Sequence, residues 1–473
     1  MATFLGLPDW IILAATVCVL LYLYAYRNRN YWKNQNVTSE PFALIFGPTL
    51  KLMFQPMHFL DTNRYNKYGK LFGTFETGKS VLFVAEPELV KQVMVKDFPA
   101  LPNRRTFKFS DPILDNMMNI TPVDRWRKIR PASSPAFSTG RLRKMNFLIE
   151  DCAVVTAQHL KEAAAKEEDI DIKQFFSNYA LDVIARCAFG TKLDSHSDQT
   201  NEFVTKSRQI FSGRVTPRLI MFFVFPAISR LLGLRPFNME IFLYFKQICL
   251  NIIKDRQDKQ SRHEDFLQLM MDAKEGNLAS AVEKASERDN QLFNLGSGLK
   301  PDTSFSSNKT LTQDEAMAQC VLFFFAGQDT TSSVISYTLY QLAINPEVQE
   351  KLREEVDECF TMHGERPSLD VITKLKYLHG VVSEALRMYP PATRFSDENM
   401  DSIQPYTYLP FGAGPRNCIG MRFALQEVKL SLLYTIRNVK VVRTKKTRVP
   451  LEFQNGYSLL TAKDITLGIR KRG

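Results

Sequence analysis

Phe411-Gly-Ala-Gly414-Pro-Arg416-Asn-Cys418-Ile-Gly420 is the stretch that decides how this chain is read. One cysteine stands among glycines, with a phenylalanine and an arginine ahead of it. Glycines let the backbone approach a flat, bulky group closely and adopt positive φ where a turn demands it. A thiolate set among turn N–H groups is a strong axial donor to iron. An arginine beside it neutralises an anionic edge of the bound group. The plainer reading of the same residues is a glycine-rich turn around a buried cysteine.

The bulk properties narrow the choice. At 473 residues the chain can bury a large core, and length alone suggests two or three domains. Hydrophobic residues make 45% and charged residues 23%, ordinary globular usage. The cysteines at 18, 152, 187, 249, 320, 359 and 418 are scattered, and no C-x-x-C occurs. That argues for a reducing compartment and against a disulfide framework or a zinc site. The histidines show no paired metal-ligand spacing either. The net charge of +11 comes without a long Lys/Arg run or a nucleic-acid motif, so nucleic acid is not an expected partner.

From Trp10 to Tyr26 no charged residue occurs, which is the short end of a membrane-spanning helix. Arg27, Arg29 and Lys33 follow it, so the positive-inside rule places the bulk of the chain in the cytosol. A cleaved signal peptide carries its basic residues before the apolar stretch, not after. The sequons at Asn36, Asn119 and Asn308 then face the cytosol and stay unmodified.

Residues 27–48 read as a polar linker. The run Leu71–Val84 alternates and turns at Gly78, as a β-hairpin does. Helical periods follow at 139–166, 171–188, 200–212, 238–259 and 312–344. The apolar stretch from Arg218 to Leu234 is too broken to span a bilayer and is either core or a patch that dips into a membrane surface. Residues 274–311 are polar and read as a flexible loop.

Thr312-Gln-Asp-Glu315 is a capping box, and Asn345-Pro346 ends the helix it opens. In mid-helix stands Ala326-Gly-Gln-Asp329-Thr330-Thr331, a poor choice for a buried helix. Hydroxyls that bond backward can widen such a turn. A small residue, an acid and a hydroxyl are what a site needs to hold O₂ and deliver protons; a tolerated polar notch is the plainer alternative. Glu384-Ala-Leu-Arg387 sets opposite charges on one helix face, and Trp126-Arg-Lys-Ile-Arg130 does the same for an indole and a guanidinium.

Together these motifs resemble those of the cytochrome P450 monooxygenases: F-x-x-G-x-R-x-C-x-G, [AG]-G-x-[DE]-T-T, E-x-x-R and W-x-x-x-R. The resemblance runs from Trp10 to Gly473. It is nearest to the animal microsomal family-3 enzymes that oxidise drugs and steroids, through Asn103-Arg-Arg105, Ala326–Ser333 and Pro410–Ala424. It implies a mainly α (α+β) cytochrome P450 fold with an N-terminal membrane anchor and small β-sheets. Residues 1–26 would be the transmembrane signal anchor, 27–48 the linker and 49–473 the catalytic domain.

The resemblance further implies haem b as cofactor and Cys418 as the axial ligand to its iron. Arg416, Trp126, Arg130 and Arg104 become propionate partners, and Phe411, Gly414, Gly420 and Ala326 further haem contacts. Thr330 hands protons on and Asp329 relays them from solvent. Glu384 and Arg387 form a buried structural pair, while Phe107, Ile120, Phe325, Ala392 and Leu459 line the substrate pocket. Electrons come from NADPH through NADPH–cytochrome P450 reductase, with cytochrome b5 allowed beside it; Arg127, Lys128 and Arg422 offer a basic docking face. The expected location is the endoplasmic reticulum membrane, single-pass, catalytic domain on the cytosolic face, with lipid and a lipophilic small molecule as contacts.

One segment departs from the family. After Pro390-Pro-Ala-Thr393 the chain passes straight to Arg394 and Phe395-Ser-Asp-Glu-Asn. The family carries several dozen more residues here, including an arginine that completes the Glu/Arg network. An internal deletion is the simplest reading, and it leaves a buried charge partly unpaired. Two outcomes follow: a working monooxygenase for xenobiotics, steroids or other lipids, or a catalytically impaired or inactive splice or deletion isoform that binds haem poorly. A peroxide-rearranging enzyme of the same fold is disfavoured by Asp329-Thr330.

Overall fold

The computed structural model describes residues 9–42, 51, 54–76, 79–105, 108–211, 217–263, 265–275, 310–391, 405–455 and 459–472. The segment 274–311, the hairpin turn at Gly78 and the junction at Thr393–Arg394 therefore fall wholly or largely outside the described residues. The chain packs as two units.

The first unit comprises Met1–Lys91, Arg214–Phe237 and Gln454–Ser458. Helix α1, Asp9–Tyr26, is 18 residues long. At ~1.5 Å per residue it reaches ~27 Å, short of the ~30 Å hydrocarbon layer. Among the described residues no helix is long and apolar enough to cross a membrane. Helix α2 is Met57–Tyr68, and the hairpin pairs β1 (Leu71–Glu76) with β2 (Lys79–Val84) in antiparallel register, Leu71 opposite Val84.

The stretch read as a linker is partly tied to this hairpin. Trp32 is buried, and its indole donates to the Thr74 carbonyl at 3.0 Å. A Cβ on Gly73 would lie 2.3 Å from the Trp32 ring, so the indole fills the place a side chain would take. Glu40 accepts from the Thr74 hydroxyl at 2.6 Å and pairs with Arg64 at 3.0 Å. In the apolar stretch, short helices run over Pro217–Val224 and Pro226–Leu231, and Leu231 is 86% exposed, so its end is not core.

The second unit comprises Gln92–Gly213, Asn238–Phe453 and Leu459–Gly473. Its main helices are α3 (Val123–Ser133), α4 (Thr139–Ala165), α5 (Ile172–Phe189), α6 (Met239–Asp258) and α7 (Phe266–Lys274). They continue with α8 (Gln313–Ile344), α9 (Pro346–His363), α10 (Lys376–Met388) and α11 (Met421–Asn438). Their ends follow local chemistry. Asp171 caps α5 by accepting from the Lys173 and Gln174 N–H groups, and Gly190 ends it in the left-handed region. The capping box of α8 is formed in both directions, and Pro346 both stops α8 and opens α9.

Helix α8 is the axis of this unit. It is buried along most of its 32 residues and packs against α5, α7, α10 and α11. Tyr179, Tyr337, Tyr340, Phe245 and Phe324 are among the largest side chains it helps to bury. A three-stranded antiparallel sheet stands beside the helices in the order β3 (Asp169–Asp171), β5 (Thr466–Lys471), β4 (Val439–Val442). The Tyr337 hydroxyl donates to the Leu460 carbonyl at 2.5 Å and accepts from the Ala462 N–H at 3.2 Å, fastening α8 to the segment that leads into β5.

Candidate active site

The cysteine loop is built by its own backbone. Gly412 N–H donates to Leu409 O at 3.0 Å, Asn417 N–H to Gly414 O at 3.0 Å and Cys418 N–H to Phe411 O at 2.8 Å. These turns return Cys418 towards Phe411. Gly414 has φ of 69°, and a Cβ there would lie 2.0 Å from the Met94 carbonyl oxygen, so both conformation and space demand glycine. Gly420 is the N-cap of α11, which sets Cys418 just ahead of a helix N-terminus, where the dipole favours a thiolate.

Cys418 faces a cavity of about 410 Å³. Arg104, Trp126, Arg130, Phe411 and the run Arg416–Gly420 line one part of it; Ala326, Gly327, Thr330, Thr331 and Val334 of α8 line another. Phe137, Phe266 and Phe323 add apolar wall, and the Phe323 ring meets the other two edge to face, Phe137 at 5.0 Å and Phe266 at 4.3 Å. Among the described lining residues there is no carboxylate.

Three guanidiniums crowd this acid-free wall. Arg104 donates to the Arg416 carbonyl at 2.5 Å, and Arg130 donates to the Asn417 carbonyl at 3.0 Å and side-chain oxygen at 2.8 Å. Arg416 donates to Pro102 O at 2.9 Å, lies 4.6 Å from the centre of the Trp126 ring and leaves its Nη2 without a hydrogen-bond partner. Burial pulls Arg130 down to about 10, against the pull of Cys418. Burial also pulls Arg416 down to about 10, with repulsion from Arg104 and Arg130 adding to it. Burial lowers Arg104 too. A pocket with this surplus of cations, an orphan guanidinium N–H and a sulfur donor fits a flat, dianionic, iron-bearing group.

Along its own part of the lining α8 is an unbroken helix in which Thr330 donates back to Ala326 O at 2.7 Å. Gly327 is needed for packing as much as for room: a Cβ would lie 2.7 Å from Ile184 of α5. The Asp329 carboxylate turns away from the cavity. Lys173 of α5 pairs with it at 2.7 Å and also reaches the Asp329 carbonyl and the Ser332 and Ser333 hydroxyls. Burial lowers the Lys173 ammonium, and Asp329 opposes that. Lys173 is a residue the sequence did not single out.

Several expected residues sit elsewhere. Phe325 is buried in an aromatic cluster with Phe242, Phe245 and Phe324, and Phe323 lines the cavity instead. The reason is helical phase: Phe323 precedes Ala326, Gly327 and Thr330 on one face, while Phe325 points to the other. Ile120 packs at the edge of the apolar cluster beside Met117 and Met118, and Leu459 is likewise not among the lining residues. Phe107 and Ala392 lie outside the described residues.

The Glu384–Arg387 pair forms, with contacts of 2.6 and 2.7 Å, but Glu384 is not buried: 46% of its side chain is exposed. Arg387 holds the Glu384 carboxyl below its usual range. On the expected basic face, Lys128 is committed to Glu315 of α8 at 2.6 Å, while Arg127 is exposed.

The family model for cytochrome P450 matches residues 38–394 and 392–468. The chain belongs to the cytochrome P450 family. Among its relatives, cytochrome P450 3A11 of Mus musculus is 31% identical across 99% of this chain and 97% of its own. Cytochrome P450 3A5 of Homo sapiens is 30% identical, and cytochrome P450 3A2 of Rattus norvegicus is 30% identical, each over the same shares. This P450 is therefore a monooxygenase-type oxidoreductase with haem b as its cofactor, and the cavity wall described above has the cations, the thiol and the apolar surface that haem requires.

Proposed function

We propose that this cytochrome P450 inserts one oxygen atom of O₂ into bulky lipophilic substrates, xenobiotics, steroids or other lipids, with electrons from NADPH through the reductase. The observation that carries the reading is Cys418 standing with Arg104, Arg130 and Arg416 on one side of an apolar cavity and Thr330 on another. When bound, haem supplies the redox chemistry that activates O₂. The residues of the chain do the rest. Cys418 would hold the iron through its sulfur. Arg416, Arg130, Arg104 and Trp126 orient the cofactor's acidic edge. Phe137, Phe266 and Phe323 exclude water and accept the lipophilic substrate. The Thr330 hydroxyl holds a proton at the cavity, and Asp329, tied to Lys173, supplies it when that tie opens.

The uncharged run Trp10–Tyr26 and the basic residues Arg27, Arg29 and Lys33 after it favour an anchor in the endoplasmic reticulum membrane with the catalytic unit on the cytosolic face, although α1 alone is short of a full span. Exposed Arg127 supports docking of the acidic reductase, with cytochrome b5 as a second donor.

The two family-model segments meet at Thr393–Arg394, which supports an internal shortening there. Alignments to these relatives cover 520 to 523 positions against 473 residues in this chain, which supports the same reading. The complete wall of cations and the closed cysteine loop favour the active enzyme over the inactive isoform.

The test is spectroscopic. The full chain, loaded with haem, reduced and exposed to carbon monoxide, is expected to give the red-shifted band of a thiolate-ligated iron. A band of the neutral-thiol type, or none, overturns the active reading. Turnover of a lipophilic probe with NADPH, reductase and isotopically heavy O₂ then places one heavy oxygen in the product.

A further inference from the structure

The second unit holds another cavity, of about 380 Å³, which shares no lining residue with the one that Cys418 faces. That volume is within the roughly 300–1,000 Å³ of small-molecule sites. Three pieces of chain build it. Lys144, Phe147 and Leu148 stand on one face of α4, at the spacing of adjacent helical turns. Arg186 comes from the last turn of α5, with Gly190 and Lys192 just beyond it. His263 and Asp265 come from the segment that leads from α6 into α7. The two cavities share helices but use different faces: Met145 and Cys187, the chain neighbours of Lys144 and Arg186, line the other one.

The charge here is lopsided. Lys144, Arg186 and Lys192 are cations, and Asp265 is the only carboxylate among the described lining residues. Asp265 is already committed. Both its oxygens accept from Arg256, and one also accepts from the Gln268 N–H at 2.9 Å to cap α7. The carbonyls that end α5 are taken too: Ala185 O accepts from Thr191 N–H, Arg186 O from Gly190 N–H and Phe189 O from Arg256. Neither the acid nor the helix end therefore offsets the three cations.

Arg186 is the group that asks for a partner. Its side chain is only 9% exposed, yet its Nε has no hydrogen-bond acceptor. Its ion contact to Asp151 is long, at 3.5 Å, and Asp151 is shared with Arg366 at 3.3 Å. A buried guanidinium N–H left without an acceptor is destabilising. Asp265 is the N-cap of α7, so the positive end of that helix dipole also meets this wall. At the rim, Phe147 presents an apolar ring that is 55% exposed. Several separate cations suit an ion with three outward oxygens and nearly two charges better than a planar carboxylate, which one guanidinium fork can hold.

We propose that this cavity is a second ligand site, for an organic phosphate. Its phosphate meets Arg186, Lys144 and Lys192, and its apolar body lies against Phe147 and Leu148. The assignment is independent of the monooxygenase reading.

Phenyl phosphate is the probe, titrated into the full haem-loaded chain at slightly alkaline pH, where the phosphate carries nearly two charges. One site is expected, several-fold tighter for phenyl phosphate than for inorganic phosphate or for phenol, and weaker as salt is added. Lys144→Gln and Lys192→Gln change exposed residues, so the fold is not at stake, and each is expected to weaken binding roughly 3–5-fold. Arg186→Lys, which loses the fork but keeps the charge, is expected to weaken it roughly tenfold. Phe147→Ala is expected to bring phenyl phosphate down to the level of inorganic phosphate. No binding, unchanged affinity in the Lys144→Gln, Lys192→Gln double variant, or phenol binding as tightly as its phosphate overturns the site. A haem absorption shift that follows the titration overturns it as well, because it places the probe in the cavity of Cys418. A chain that never oxidises a substrate refutes the monooxygenase reading, while the titration still decides the phosphate site.

Discussion

The cysteine loop and the Glu384–Arg387 pair are both hallmarks of this family, yet they are held in opposite ways. The loop at 411–420 closes through hydrogen bonds to its own backbone and leans on Met94, Pro102, Arg104 and Arg130. The pair on α10 has good contacts of its own but one exposed partner. A motif whose geometry is written in glycines and turns is built wherever its neighbours are present. A motif whose role is to be buried depends on whatever covers it, and here Glu384 keeps 46% of its side chain exposed.

The sharpest way to break this contrast is at the loop. Cys418→Ala is expected to remove the thiolate-type carbon-monoxide band and all reductase-driven turnover while the helical content stays intact; a variant that retains the band would mean that another group ligates the iron. Gly414→Ala comes next. Positive φ and a clash with the Met94 carbonyl are expected to cost about 2–4 kcal/mol, read as a lower denaturant midpoint with an unchanged slope.

Glu427 of α11, an acid whose charge is disfavoured by complete burial, gives an intermediate effect with a definite sign. The folded value of Glu427 lies well above 4.5, so the unfolded chain releases its proton first. The stability this proton supports is complete below 4.5 and is lost as pH rises towards the folded value. Stability curves of wild type and Glu427→Gln between about pH 5 and pH 7 should therefore diverge by up to ~1.4 kcal/mol per pH unit, the wild type falling faster. Parallel curves would show that the acid is ionised in the fold.

The smallest effect is expected at the pair. Glu384→Gln should cost no more than ~1 kcal/mol, because a half-exposed ion pair is screened by solvent. Its share of stability is present above 4.5 and disappears as pH falls through the lowered folded value, so an acid titration of the variant should run slightly flatter than that of the wild type. A loss of several kcal/mol, or of haem binding, would mean that the chain beyond Pro391 buries the pair after all.

Much of this fold is legible in the sequence itself. The helix expected at 139–166 runs Thr139–Ala165, and that expected at 312–344 runs Gln313–Ile344, because caps and prolines mark their ends locally. The loop, the Thr330 wall and the arginine set were legible as motifs. Lys173 and Glu427 were not. Lys173 meets Asp329 from another helix, across 156 positions of sequence, and nothing beside it hints at that meeting. Glu427 reads as a polar residue on an amphipathic helix until its face is seen to point into the core. Phe325 lies with Phe242, Phe245 and Phe324 for a related reason: a run of three phenylalanines names an apolar surface without saying which ring faces which way.

The order of the small sheet carries a consequence for how the protein is made. Its central strand, β5, is its last in the chain, and it joins β3, some three hundred positions earlier, to β4. The same late segment receives the Tyr337 hydroxyl of the long helix through Leu460 and Ala462. During synthesis, then, the helices can gather as they emerge from the ribosome, but the piece that fastens them arrives at the end. A release or pause shortly before β5 is therefore expected to leave the helices without the strand that joins β3 to β4 and without the partners of the Tyr337 hydroxyl.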